Sequence, residues 1–421
     1  MIFLHKPYIR NKNGKYRLYF DLDIDKEKKK IWYEVNEEYK QYLCDDRIDA
    51  ILVGILLYAM EHNQDIESDS YITDDILFKI EEYLIPSLSK YGEKLNRIKI
   101  NIKTKPSIKN IGAVGTGCSC GIDSLHAYIT KSKLKDKKYN ITHLCINNVG
   151  SFNSTYEEAG IKNVQKKVFE RAKKFAQEVN LPLIITDSNF QEEIPQVHYL
   201  THTYSSTFAI LCLQKLWGIY YYGSSGLDLS SFSIKENDKH DCANYELLSL
   251  SCFSTENLTI YSDGAAESRL EKTKDIYKDK LVKKYLHTCL KQAYNCSKCD
   301  KCKRTLLSLY ALTEDLSDYK EIFDIDYFYE HLEEYFEWLY IEHQFDSEMT
   351  EPIYNQLFSF NKQFKEYVNK KSEELKKNIN LQDYYMVECQ KILNSSTYKV
   401  GKVILWLPAK IKKIIKRTLN K

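Results

Sequence analysis

The stretch GTGCSCGIDS (115–124) follows the apolar run IGAV (111–114) and sets two cysteines and two serines among three glycines and one aspartate. The apolar run predicts a buried strand, and DSLHAYITKSK (123–133) predicts the helix after it. A turn with so few bulky side chains lets a ligand come close to the backbone. In an open parallel sheet, ligands bind beyond the carboxyl ends of the strands, so this turn is a candidate ligand site.

The alternation of strand and helix continues after this turn. Further strands are predicted at 142–150, 181–187 and 219–225, with helices at 164–179 and 205–218. This order predicts an α/β fold built on a doubly wound parallel sheet.

The remainder of the chain has different patterns. Residues 1–108 combine alternating strands with the apolar helix AILVGILLYAM (50–60), and residues 313–396 look helical and aromatic-rich. We expect five segments: a small α+β N-terminal domain (1–108), the α/β domain (109–285), a cysteine-rich segment (286–312), a helical extension (313–396) and a basic amphipathic tail (397–421).

Length and composition are those of a globular protein with two or three domains. The chain has 421 residues and a formal net charge of +2, which does not favour a nucleic-acid partner. The N-terminal sequence lacks the long apolar stretch of a secretory signal. The twelve cysteines therefore suggest a reducing compartment, and we expect a cytoplasmic protein.

The turn at 115–124 has the composition of a phosphate site. Backbone amides of such a turn and of the following helix N-terminus favour anions. The turn lacks the lysine of a Walker motif, and Cys120 stands at the third glycine position of the dinucleotide fingerprint.

The segment Ser119-Cys120-Gly121-Ile122-Asp123-Ser124 resembles the SGGxDS signature of the PP-loop ATP pyrophosphatases, within the adenine nucleotide alpha hydrolase-like superfamily. The resemblance implies that Asp123 holds Mg²⁺ and that ATP is cleaved to AMP and pyrophosphate. The residues it implies for ATP and pyrophosphate binding are Gly117, Ser119, Cys120, Gly121, Ile122, Asp123 and Ser124. The sequence departs from the signature at Cys120, where a positive φ would cost about 1 kcal/mol.

A second motif is a group of four cysteines at Cys289, Cys296, Cys299 and Cys302. Two overlapping CxxC units bring thiolates around one point, and a fourth from a neighbouring turn completes a tetrahedron, which predicts structural zinc. Buried free thiols and disulfides are the alternatives, but the interleaved lysines make the segment too polar for a core. An iron–sulfur cluster is a further alternative, although the expected later Cys-Pro is missing.

The two motifs in this order resemble the 7-cyano-7-deazaguanine synthase branch of the superfamily over residues 109–312. The resemblance implies a zinc-binding segment after the nucleotide domain. It also implies an enzyme that uses ATP to activate a carboxylate and ammonia to convert it into an amide and then a nitrile. We do not transfer the deazaguanine substrate.

Weaker patterns add candidates to the same cleft. Arg269 and Lys272 lie three apart at the start of a helix and could clamp a phosphate or carboxylate, or form a surface charge run. His202, Ser224 and Ser225 follow or precede strand ends and are candidate substrate contacts, with capping and loop roles as alternatives. With the motif residues Asp123 and Ser124, Arg269 and Lys272 form the candidate catalytic set.

The basic amphipathic tail predicts a separate role for the end of the sequence. Residues 402–421 contain seven Lys or Arg residues and no acidic residue, with Ile411, Ile415 and Leu419 on one helical face. This composition is typical of a helix at the surface of a membrane, here the inner face. Packing on the chain's own acidic surface is the alternative. A homodimer is left open.

We expect an AMP-forming, ATP-dependent C–N ligase. The enzyme would adenylate a carboxylate or carbonyl oxygen of a small molecule, such as a nucleoside or glycan precursor, and a nitrogen nucleophile would then displace AMP. Two alternatives remain. One is a PP-loop sulfurtransferase acting on tRNA or a small molecule, with Cys118, Cys120 or Cys145 as sulfur carrier. The other is a nucleotide-binding regulator, because Cys120 makes the turn degenerate.

Overall fold

The computed structural model describes residues 1–377 except 26, 93, 151–157, 227–228, 230, 235–240, 290 and 346. The predicted tail at 397–421 and the end of the predicted helical extension lie outside the described residues. Within the described part, no helix is both long enough and apolar enough to span a bilayer.

The strands form one mixed sheet. They are β1 (Ile2–Leu4), β2 (Tyr8–Lys12), β3 (Lys15–Ile24), β4 (Glu27–Asn36), β5 (Ile66–Thr73), β6 (Ile100–Lys105), β7 (Ala113–Gly117), β8 (His143–Asn148), β9 (Leu183–Ser188), β10 (Trp217–Gly223) and β11 (Thr259–Asp263). The strand order is β11-β10-β7-β8-β9-β4-β3-β1-β5-β6, with β2 paired to β3.

Helices connect and cover these strands. They are α1 (Asp49–Glu61), α2 (Asp74–Lys79), α3 (Ile85–Tyr91), α4 (Ile122–Lys131), α5 (Glu158–Glu178), α6 (Phe190–Glu193), α7 (His198–Cys212), α8 (Glu246–Phe253), α9 (Arg269–Ile276), α10 (Lys280–Tyr285), α11 (Asp300–Thr313), α12 (Ile325–Glu330), α13 (Leu332–Gln344), α14 (Glu351–Phe360) and α15 (Lys362–Lys377). A π-helical turn, Ile80–Leu84, joins α2 to α3.

The half of the sheet from β11 to β9 is parallel throughout. Its faces are both covered, because Cys145 of β8 belongs to one apolar core and its neighbours Leu144 and Ile146 belong to another. The α/β class predicted from the sequence is confirmed. Strand β7 lies between β8 and β10, so the strand order reverses between β7 and β10, which is where open α/β sheets bind ligands.

The sheet continues across residue 108 into the N-terminal part of the chain. Strand β9 pairs antiparallel with β4, and Ser188 donates a hydrogen bond to the Trp32 carbonyl at 2.6 Å. The Trp32 amide in turn donates to Asn189 Oδ1 at 2.7 Å. Helix α1 also packs against α7, within one apolar core. The two segments therefore share both a sheet and a core.

Phe208 of α7 packs between the two segments, so its substitution tests whether they share one core. Its ring lies 5.7 Å from Phe20 and 4.8 Å from Phe190, both centroid to centroid. We expect Phe208→Ala to lower the free energy of unfolding by about 3–5 kcal/mol, because it opens a cavity between the segments. The exposed Phe360→Ala is the matched control, with an effect within about 0.5 kcal/mol. Equilibrium denaturation should show one transition, and two transitions with only one displaced would contradict a shared core.

Candidate functional site

The turn 118–121 joins β7 to α4 at the point where the strand order reverses. The end of β10 lies beside it, because Gly223 approaches Asp123 so closely that a Cβ there would lie 3.4 Å from the Asp123 backbone. The carboxyl ends of β7 and β10 therefore meet at the predicted phosphate turn.

Local hydrogen bonds hold the turn. Ser119 donates to Ser124 Oγ at 3.1 Å and accepts from the Gly121 amide at 3.3 Å. Ser124 Oγ lies 3.1 Å from the Gly121 carbonyl, which it bonds as donor. These hydroxyls and the amides near them lie together at the N-terminus of α4. Such an arrangement suits an anion.

Cys120 occupies the left-handed region, with φ +59°, and is buried. Only glycine adopts this conformation without a steric penalty, so the side chain adds about 1 kcal/mol of strain to the turn. The departure from the SGGxDS signature therefore falls on a position whose backbone conformation favours glycine.

We expect Cys120→Gly to be more stable than Cys120→Ala by about 1 kcal/mol. Both variants remove the buried thiol, but only glycine relieves the positive φ. Denaturant unfolding of the two variants measures the difference directly. Equal stabilities would show that the turn relaxes to another conformation when the thiol is absent.

Two cations from α9 contact the Asp123 carboxylate. Arg269 Nη2 lies 3.1 Å from Asp123 Oδ2, and Lys272 Nζ lies 3.7 Å from Oδ1. Burial alone would raise the pKa of this carboxyl, but the charges of Arg269 and Lys272 hold the pKa below its usual range. A capping box between Ser268 and Glu271 fixes the start of α9, so both cations are held in place.

Lys272 is fully buried. Its ammonium donates to the Ser224 carbonyl at 2.6 Å, which joins α9 to the segment after β10. Ser224 is buried as well, and Ser225 has a buried hydroxyl without a hydrogen-bond partner among the described residues. Ser224 and Ser225, the candidate substrate contacts, thus lie beside Lys272, a candidate catalytic residue.

Helix α11 brings further cations that the sequence analysis did not identify. Arg304 Nη1 lies 2.9 Å from Met349 Sδ, and Arg269 Nη1 lies 3.6 Å from the same sulfur. Arg304 also helps to lower the pKa of Asp123. Burial and the charges of Arg269 and Arg304 lower the pKa of Lys301 to about 8. The signal in the sequence was position, since each of these residues lies two positions after a cysteine of the predicted metal motif.

The four cysteines converge as predicted. One sulfur atom from each of Cys289, Cys296, Cys299 and Cys302 lies within 4.8 Å of the others, and the group can hold a metal ion such as zinc. The Sγ atoms of Cys289 and Cys299 are 3.9 Å apart, and those of Cys296 and Cys302 are 4.0 Å apart. A tetrahedron with Zn–S bonds of about 2.3 Å requires sulfur separations of about 3.8 Å, so the cluster fits zinc closely.

The cysteine cluster is joined to the turn 118–121. The His287 amide donates to the Cys120 carbonyl at 2.9 Å, two residues before the first metal ligand. Cys299 is the N-cap of α11, so the cluster also fixes the start of the helix that carries Lys301 and Arg304. A metal at this cluster would hold both the turn and the cations.

His202 of α7 forms a separate, part-buried pair with Asp241. Its Nε2 lies 2.9 Å from Asp241 Oδ1 and its Nδ1 lies 2.8 Å from the Tyr222 hydroxyl. Burial alone would lower the pKa of His202, but Cys242, Tyr222 and the bond with Asp241 raise it well above the usual range. Tyr222 precedes Gly223, which approaches Asp123 at the end of β10, so the His202–Asp241 pair lies near the same strand end as the turn 118–121.

The cysteines near the turn are buried, and two of them have raised pKa values. Cys118, Cys120 and Cys145 are all buried. Hydrogen bonding with Cys120 and burial raise the pKa of Cys118, and burial raises the pKa of Cys145 to about 12. The thiolate is the reactive form, so these environments disfavour sulfur transfer.

Comparison with other proteins gives no further constraint. No protein-family model matches the chain. No curated protein and no solved structure matches it either. The function is therefore inferred from the site itself.

Proposed function

We propose that the protein is an AMP-forming, ATP-dependent enzyme of the PP-loop type that activates a carboxylate or carbonyl oxygen for attack by a nitrogen nucleophile. One observation carries this proposal. The cations of Arg269, Lys272 and Arg304 are held together around Asp123, beside the amides of a turn at the reversal point of a parallel sheet. Like charges repel, so this grouping is favourable when a polyanion binds there.

The residues divide into two roles. The turn amides and the hydroxyls of Ser119 and Ser124 suit the oxygens of a pyrophosphate. Phosphate oxygens would become partners of Arg269 and Lys272, which leaves the Asp123 carboxylate as a ligand for the Mg²⁺ that accompanies ATP. The cations then neutralise the charge that grows on the departing pyrophosphate.

The reaction balances without a further cofactor. A substrate carboxylate oxygen attacks the α-phosphorus of ATP, and the bond to the pyrophosphate oxygen breaks. The nitrogen nucleophile then attacks the activated carbonyl carbon and AMP leaves, which gives an amide-type C–N bond. AMP is a far better leaving group than the oxygen of a free carboxylate, which is the reason for using ATP.

We further propose that zinc occupies the four-cysteine cluster and has a structural role. Four thiolates leave no open coordination position for substrate. The cluster instead positions His287 against the turn and Cys299 at the start of α11. A reducing cytoplasm, where thiolates persist as metal ligands, suits such a centre.

The test uses ATP labelled at the α-phosphate, Mg²⁺ and a small-molecule extract of the source cell, either complete or depleted by desalting. We expect AMP and pyrophosphate only with the complete extract. Asp123→Ala should abolish product, while the exposed Asp318→Ala, in the same protein background, should not. Release of ADP would contradict the PP-loop assignment. ATP binding that Asp123→Ala removes, with no turnover in any fraction, would favour a nucleotide-binding regulator.

A further inference from the structure

A second group of metal-ligand side chains lies where α4 packs against α9. It consists of His126 on α4, Glu267 just before α9 and Asp275 near its end. One nitrogen or oxygen atom from each residue lies within 4.8 Å of the other two. The group shares no residue with the four-cysteine cluster or with the proposed nucleotide site.

His126 is the unusual member of this group. Its side chain is only 3% exposed, and its Nε2 atom is buried without a hydrogen-bond partner among the described residues. The nearest carboxylate oxygens are Glu267 Oε2 at 3.2 Å and Asp275 Oδ2 at 3.5 Å, yet neither accepts a hydrogen bond from the ring. Both carboxylates lie within ion-pair distance, yet the buried nitrogen is hydrogen-bonded to neither, and such an unsatisfied group is costly unless something else binds it.

The separations suit a common bound ion. A tetrahedral ion with bonds of about 2.0–2.1 Å to nitrogen and oxygen places its ligands about 3.3 Å apart. The distances of 3.2 Å and 3.5 Å from Nε2 to the two carboxylates bracket this value. One imidazole and two carboxylates form a donor set for first-row divalent metals, in contrast to the thiolates of the cysteine cluster.

One side of the group of His126, Glu267 and Asp275 faces solvent. The side chains of Glu267 and Asp275 are 37% and 51% exposed, while His126 forms the buried floor. His126 Nε2 and Glu267 Oε2 are themselves buried, so an ion would enter past the exposed Asp275 side chain, with water completing its coordination. The carboxylate charges attract the cation from solvent.

We propose that His126, Glu267 and Asp275 bind one divalent first-row transition-metal ion. The ion would link α4 to α9 and so join the helix that carries Asp123 to the helix that carries Arg269 and Lys272. The proposal does not depend on the ATP chemistry, because it concerns three other side chains.

The test is a titration of full-length protein with Co²⁺, after one zinc per chain has been loaded to fill the thiolate site. We expect a second site that saturates at one Co²⁺ per chain, with visible bands typical of nitrogen and oxygen ligands and without thiolate-to-cobalt charge transfer. His126→Gln should weaken Co²⁺ binding by more than about 10-fold, since even the partners of metal ligands contribute 10- to 100-fold. Glu267→Gln should also weaken it.

Two controls identify the site. His202→Gln changes a part-buried histidine on α7 and Asp123→Asn changes the carboxylate of the proposed nucleotide site, and both should leave Co²⁺ binding unchanged. Retention of one zinc per chain and an unchanged circular dichroism spectrum show that each variant is folded. Absence of Co²⁺ binding in the wild type, or binding that survives His126→Gln, would overturn the proposal.

Discussion

Cys299→Ser is expected to lower the melting temperature by at least about 10 °C and to remove the zinc that we propose for the four-cysteine cluster. Cys299 is both a member of the four-cysteine cluster and the N-cap of α11. Zinc binding contributes roughly 10–16 kcal/mol to folding in small zinc domains, so losing one thiolate removes a large part of that energy. Metal analysis and calorimetry measure the two effects.

The same variant is expected to weaken ATP binding, although Cys299 does not lie in the turn. The cluster segment bonds to the Cys120 carbonyl through the His287 amide, and α11 carries Arg304. When the cluster opens, both the turn and one of its cations lose their support. Isothermal titration with a non-hydrolysable ATP analogue should show the weaker binding.

Cys44→Ser is the matched control for this variant. Cys44 is buried like Cys299, but its sulfur bonds to Asp46 and Gln214 at 3.4 Å, and a serine hydroxyl can replace these bonds. We expect it to keep its zinc and to lose only a few degrees. If Cys299→Ser melted like Cys44→Ser with its zinc content reduced, the cluster would contribute little to the fold.

The α/β pattern was predictable because its strands are apolar and its helices are amphipathic. Strands β7 to β10 lie within two or three residues of the predicted ranges. Strand β5, with the sequence IESDSYIT, was missed because its polar residues hide the alternation, and β11, with the sequence TIYSD, was missed because it is both short and largely polar. Short or polar strands depend on their neighbours in the sheet, which a local pattern does not contain.

The pairing of β4 with β9 could not be predicted at all. It joins residues more than 150 positions apart through a short antiparallel contact. No local signal in either strand specifies such a partner, so the chain was divided at residue 108 where the pattern of elements changes. The continuous sheet shows that a change of pattern along the sequence is not by itself a boundary between separate cores.

The candidate site was predictable where it follows a motif. The turn, the cysteines and the α9 pair of Arg269 and Lys272 were found from spacing. Arg304 and His126 were not, because each gains its meaning from contacts between distant elements: Arg304 with Met349, and His126 with Glu267 and Asp275. The sequence around a single charged residue on a helix does not specify which distant residues its side chain will contact, because the fold determines those contacts.

Lys272→Met is expected to weaken the binding of an ATP analogue by at least roughly 30-fold, because losing one partner of a buried charge interaction costs about 2 kcal/mol or more. Lys272 is fully buried and lies 3.7 Å from Asp123, and methionine has a similar length without the charge. The fold should survive, because Arg269 still pairs with Asp123 at 3.1 Å.

Lys274→Met on the same helix provides the comparison that decides the role of Lys272. Lys274 is exposed, so its removal changes the net charge by the same amount without touching the site. We expect its ATP-analogue affinity to remain within about 2-fold of wild type, since exposed charges are screened by solvent and salt. Calorimetric titration of both variants at one ionic strength separates the cases. Equal affinities of the two variants would mean that the buried ammonium only supports Ser224 and Asp123 and that the phosphates bind elsewhere. A loss of affinity confined to Lys272→Met would place the polyanion between α9 and the turn.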